Sequence, residues 1–213
     1  VVPGTGHDSD DCVRGRLERE LGARLWVVHR LDRDTSGVLL FARTPDVHRE
    51  LCMAFEERRV RKTYVAVTMG VPSPPEGRIT TALHPARRGK VRPALAGETG
   101  AWDAATAYVV RKRWRLSGAE SAMVEMHPET GRHHQIRAHL RSIGTPILFD
   151  RVYGKAAGAV AFAGAPSQRL ALHASKLVVL EAGQAGLART FEAPLPDDLA
   201  ALVRWLDVTS SPG

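Results

Sequence analysis

Two cysteines, Cys12 and Cys52, are all that the 213 residues contain. They have no C-x-x-C spacing and no paired histidines nearby, which argues against a structural zinc site and against a disulfide scaffold. Long apolar runs are missing too: none approaches the roughly 20 residues that span a bilayer. The opening VVPGTGHDSDDC is polar and turn-rich rather than a signal peptide, so a cytoplasmic protein without a membrane partner is expected. No G-x-x-x-x-G-K-[ST] loop occurs, which leaves a nucleotide-metabolising enzyme without its phosphate cradle. Acidic side chains are in deficit: 23 Asp and Glu stand against 30 Lys and Arg, a formal charge of +7. A basic surface of this kind favours polyanions, nucleic acid first.

The remaining composition, 44% hydrophobic and 25% charged, is that of a globular domain with a real core. The pattern predicts a short charged helix over 12–21, then apolar strands over 25–31 and 37–43. A second helix starts at Thr44–Pro45, with Thr as N-cap, Pro in the first turn, and Val47, Leu51 and Phe55 as its apolar face. Residues 62–70 alternate as a strand and 71–77 form a loop. The stretch 78–101 has no period and reads as irregular. Strands are expected at 102–110 and 121–126, a turn at 127–131, and a helix whose stripe is Ile136, Leu140 and Ile143, stopped by Gly144. A short strand at 146–150, a mobile Gly/Ala-rich loop at 153–167, a strand pair or one long strand over 169–181 and a last helix at 197–206 complete the chain. Strands and helices mix without strict βαβ alternation, which indicates one α+β domain.

The segment HRLDRDTSG, residues 29–37, packs several ionisable groups into a tight connection between apolar runs. The order Asp32, Asp34, Ser36, Gly37 imitates the start of a calcium loop. Such a loop needs a bidentate carboxylate at its twelfth position, where this chain has Arg43, and helices at its flanks, where this chain has strands. Calcium is therefore excluded. A polar hairpin turn, with Asp and Ser bonding their own backbone, remains the plain alternative.

Company at long range changes that balance. HRLDRDTSGVLLFA, then RKTYVAV at 61–67, TGRHHQIRAHL at 130–140 and RLALHA at 169–174 occur in this order. The set resembles the RluA-type family of RNA pseudouridine synthases over most of the chain. The resemblance implies an α+β pseudouridine synthase fold: a mixed, mainly antiparallel sheet flanked by helices, with a central catalytic cleft. It implies isomerisation of uridines in ribosomal or transfer RNA, a reaction without redox change that needs no cofactor and no metal. Asp32 matches the essential aspartate, a carboxylate able to attack or stabilise a cationic sugar; a covalent and a glycal route both remain open. Arg30 matches the arginine that fills the gap left by the extruded uridine. Tyr64 matches the tyrosine that stacks on the base and is a candidate for proton handling at C5. Arg137 matches the arginine that pairs with the catalytic carboxylate, and Leu172 an apolar position beneath the site. Asp34, Thr35, Ser36 and Gly37 read as turn architecture that holds Asp32, and His173 as a buried structural histidine. Lys62 and Arg61 are expected at phosphate or solvent.

Two departures stand out. His133 occupies a position where the family usually has Thr or Ser, with local hydrogen bonds alone expected to change. Phe149 replaces a glycine common before the aspartate of a P-I-x-G-D stretch, with no catalytic position expected to be touched. Residues 1–213 read as one catalytic domain, a monomer, without the family's usual upstream strands and without the S4-type domain many members carry. The competing function is a catalytically idle RNA-binding module; intact Asp32, Tyr64 and Arg137 argue against it.

Overall fold

The structure, a computed structural model, describes residues 12–154, 159–181 and 188–210. The turn-rich opening over 1–11, part of the expected mobile loop and the last three residues lie outside them. The centre of the fold is β4 (Val60–Met69), whose VRKTYVAVTM is rich in β-branched and aromatic residues. It lies between β9 (Ala119–Pro128) and β10 (Leu172–Leu180), both antiparallel to it. β9 pairs with β8 (Thr106–Leu116) in a long hairpin. Its two-residue loop, Ser117 and Gly118, has φ of 49° and 79°, the double positive φ that a tight hairpin with right-handed twist requires. β5 (Glu76–Ile79) and β11 (Ala188–Glu192) are the outer strands, in the order β11-β10-β4-β9-β8-β5. A two-residue strand, β2 (Ser36–Gly37), joins β10 in parallel. The sheet is therefore mixed and mainly antiparallel, and the fold α+β.

The main core contains residues from both faces of this sheet, since the adjacent Ala66 and Val67 of β4 are both in it. Ala66, Val124, Met126 and Leu140 are buried in it together with Phe162, Leu202 and Leu206. The last two come from α4 (Asp197–Thr209), which Trp114 ties to β8 by donating its indole N–H to Asp207 at 2.7 Å. α3 (Gln135–Ser142) buries all but its last two residues. α1 (Val13–Leu21) follows the expected segment, and α2 (Pro45–Glu56) has the expected Thr44 cap.

Several expectations need correction. The runs 25–31 and 37–43 are not continuous strands; only β1 (Trp26–Val27) and β3 (Phe41–Ala42) pair, and the connection between them is spent on the site. Val47 of α2 is exposed, and Ala54 takes its place in the buried face beside Leu51 and Phe55. Ile143 is exposed as well. The aperiodic 78–101 contains a hairpin, β6 (Leu83–Ala86) with β7 (Lys90–Pro93), whose proline and arginine content masks the alternation. Residues 146–150 form a buried turn with one bridge, Ile147 to Thr68, instead of a strand. Within the expected mobile loop, Phe162 is fully buried in a 3-10 turn.

One glycine is demanded by this topology. Gly37 has φ of +124°, and a Cβ there would lie 2.1 Å from the Ala174 carbonyl oxygen of β10. No side chain fits. Gly37→Ala is expected to lower stability by about 3 kcal/mol or more, read by denaturant unfolding. A wild-type midpoint in that variant would contradict the β2–β10 pairing.

Candidate active site

The connection 29–37 is stapled down at its far end. β2 and β10 hold Ser36 and Gly37, and the Ser36 hydroxyl bonds the Nδ1 of His173 at 2.9 Å. His173 donates its other ring N–H to the Ala193 carbonyl at 3.0 Å, so its Nδ1 accepts from Ser36. Arg169, itself paired with Asp198 of α4, donates to the Ser36 Oγ at 3.1 Å. At the near end, the Thr35 N–H closes a turn onto the Asp32 carbonyl at 3.0 Å. His29 stacks on Phe55 of α2, with centroids 5.0 Å apart, and accepts the Leu40 N–H on Nε2 at 3.0 Å. His29 and Ser36 thus anchor the segment, and the Asp32 carboxylate is left facing a cleft of about 280 Å³.

Across the cleft lies the start of α3. Gln135 fastens it. Its carbonyl accepts from the Thr130 hydroxyl and the Arg132 N–H, and its amide donates to the Ala105 carbonyl and to Thr106. Arg137, two residues further on, is buried. Its Nε and Nη2 each bond an oxygen of Asp150 at 2.8 Å, and its Nη1 lies 3.6 Å from an oxygen of Asp32. Asp150 is wholly buried and also accepts the N–H groups of Val152 and Tyr153 at 2.8 and 3.0 Å. Burial pushes the Asp150 carboxyl upward, but the Arg137 bonds and these backbone donors outweigh it and hold it below the ordinary range. Arg137 is raised for the reciprocal reason, despite its own burial. Counted as charges, Asp32, Arg137 and Asp150 carry a net −1, so the guanidinium orients Asp32 without cancelling its field.

The sheet supplies the floor. Tyr64 of β4 and Leu172 of β10 line the cleft from neighbouring strands, and the cross-strand partnership of Tyr64 with Ala174 places 64 and 172 on one face. Burial, and secondarily the Asp32 charge, pushes the Tyr64 phenol up to about 12. It is a neutral hydrogen-bond donor and stacking surface at physiological pH, not a ready base. Arg30 is exposed at the rim.

Two histidines complete the wall near Asp32. His134 has a left-handed φ of 51°, bonds the Tyr153 hydroxyl through Nδ1 at 3.1 Å, and brings Nε2 to 3.9 Å from Asp32. His133 stacks on it with centroids 3.7 Å apart, and its Nδ1 is also 3.9 Å from Asp32. His133 thus reaches the neighbourhood of the Asp32 carboxylate, beyond the local effect expected of that departure. One carboxylate and two imidazoles suit a borderline divalent ion in kind. The two rings stack at an interplanar angle of 25°, and the Arg137 cation 3.6 Å from Asp32 opposes a second positive charge.

Burial pushes both His134 and His29 down to about 4, with Lys62 adding to the effect at His29 and Asp32 partly opposing it at His134. An unfolded chain takes up these protons near 6.5, whereas the folded chain resists until about 4. Stability is therefore complete above the higher value and lost as pH falls through this window. The melting temperature is expected to drop steadily from about pH 6.5 to about pH 4, and His29→Gln to flatten the slope. A flat profile in both proteins would contradict the burial of these rings.

Asp150 is the residue that sequence reasoning missed. Its signal was a carboxylate ending the otherwise apolar PILFD, close after an arginine at the edge of a helical stripe. Phe149, expected to be inconsequential, holds a left-handed φ of 60° directly before it, which explains why glycine suits the position. The substitution therefore lies one residue from the carboxylate that fixes Arg137.

Residues 4–142 match the family described as RNA pseudouridylate synthase. The dual-specificity RNA pseudouridine synthase RluA of Escherichia coli K12 is 39% identical over 193 residues, covering 91% of this chain and 83% of that protein. An uncharacterized RNA pseudouridine synthase of Chloroflexus aurantiacus is 35% identical over 219 residues, covering 99% of this chain and 65% of its own. The human RNA pseudouridylate synthase domain containing 4 superposes with a TM-score of 0.70 at 26% identity, covering 92% of this chain and 80% of that one. The human domain containing 1 gives a TM-score of 0.74 at 24% identity over 96% and 88%, a likeness of fold. The chain belongs to the RluA-type family of RNA pseudouridine synthases, enzymes that isomerise uridines in RNA.

Proposed function

We propose that Asp32 is the catalytic carboxylate for uridine isomerisation in ribosomal or transfer RNA, carried out by the chain as a cytoplasmic monomer with one catalytic domain. The observation that carries this reading is the Asp32 carboxylate in a cleft, 3.6 Å from a buried guanidinium that a second carboxylate fixes in place. The reaction breaks the N1–C1′ bond, turns the base and joins C5 to C1′; C5 gives up its proton and N1 gains one. Nothing else is exchanged. The cationic character that develops at C1′ calls for an oriented anion, and the net −1 of the three charged groups supplies it.

A uridine within a helix is beyond reach of such a carboxylate and must leave the stack, at a cost of a few kcal/mol. Arg30, exposed at the rim, is positioned to offset that loss by laying its guanidinium plane where the base was. Tyr64 and Leu172 give the extruded uracil an apolar floor, and the neutral phenol can donate to a base carbonyl. The test is incubation of the chain with total ribosomal and transfer RNA from a strain lacking the gene, with pseudouridine mapped before and after. New pseudouridine at defined positions is expected; an unchanged map with folded protein would overturn the assignment.

A further inference from the structure

Among the described residues, one cation of the cleft has no carboxylate partner. Lys62 lies two residues before Tyr64 on β4, and both side chains line the cleft. Its ammonium donates to one acceptor, the Thr130 carbonyl at 3.2 Å. An ammonium has three N–H donors, so two remain for a ligand. Burial lowers its pKa and no carboxylate opposes that shift, in contrast to Arg137, which has two. Gly131, in the T-G-R turn, lies beside it: a Cβ there would be in ordinary van der Waals contact with the Lys62 Nζ, at 3.4 Å. His29 beside it is held neutral and offers no compensating charge. A half-buried charge with a single neutral partner costs stability unless something anionic arrives.

We propose that Lys62 is the phosphate-binding residue of the cleft, engaging the backbone phosphate of the extruded uridine once the base lies on Tyr64. This rests on the isomerase reading and adds the part of the nucleotide that this wall of the cleft grips. A phosphate supplies the missing negative charge and accepts the two remaining N–H groups, which a neutral uracil carbonyl does only in part.

The test compares uridine 5′-monophosphate with uridine as ligands of the whole chain by calorimetry, in wild type and in Lys62→Met. Wild type is expected to bind the nucleotide about tenfold tighter than the nucleoside, and Lys62→Met to bind the two alike. With total ribosomal and transfer RNA, the rate of the variant should fall less steeply with salt, by about one phosphate contact. Its melting temperature should equal or exceed that of wild type, because methionine fills the volume without a buried charge. An undiminished nucleotide preference in Lys62→Met overturns the proposal, as does a lowered rate with an unchanged salt slope, which would mark a uracil contact. Wild-type turnover reports on the isomerase reading, and the nucleotide-to-nucleoside ratio reports on Lys62 without any turnover.

Discussion

Asp32→Ala is expected to lower pseudouridine formation to less than about a thousandth of the wild-type rate while RNA affinity stays within about twofold. The asymmetry follows from geometry. The cleft contacts expected to hold the RNA, at Arg30, Tyr64 and Leu172, do not involve the carboxylate, whereas among the described residues lining the cleft no other anion is available to the developing charge at C1′. Asp150 cannot substitute, because all its acceptor capacity is committed to Arg137, Val152 and Tyr153. The measurement is single-turnover isomerisation beside equilibrium RNA binding. A large loss of affinity in the variant would place Asp32 in binding instead of chemistry.

Asp150→Asn is expected to act on both stability and rate. The amide keeps the shape and can still accept the N–H groups of Val152 and Tyr153, but it turns an NH₂ toward the guanidinium and removes the charge that pairs with Arg137. Breaking one side of a buried pair costs about 3 kcal/mol. Arg137, freed from its bidentate hold 2.8 Å from each Asp150 oxygen, then swings its charge fully onto Asp32. The net −1 of the trio becomes zero and the Asp32 rotamer changes, so kcat is expected to fall about a hundredfold with KM little altered. Denaturant unfolding and steady-state kinetics check the two effects separately. Wild-type kcat in a destabilised protein would reduce Asp150 to a structural ion pair.

How far the sequence carried depended on the range of the interaction involved. The Thr44 cap and the α1 boundary were legible because each is decided within a few residues. Asp32, Tyr64 and Arg137 converge on one cleft, yet no local pattern on their own segments marks them. Each sits where a turn residue, a core tyrosine or a surface arginine would be unremarkable, and the family resemblance alone singled them out. Asp150 was illegible because its meaning lies in a partner on another element: the bidentate bond to Arg137 joins a helix to the turn after Ile147. The hairpin at 83–93 escaped for a different reason. Its strands are four residues each, one ends in proline and the other holds a proline, and arginine occupies positions where alternation would be read.

The Asp32–Arg137–Asp150 arrangement is the centre of the account, and a gene-replacement experiment tests it most directly. Pseudouridine is mapped in all ribosomal and transfer RNA of a strain lacking the gene, then again with wild type or Asp32→Ala restored at equal protein level. Positions are expected that vanish with the gene, return with wild type and stay absent with the variant. Return of those positions with Asp32→Ala would contradict it.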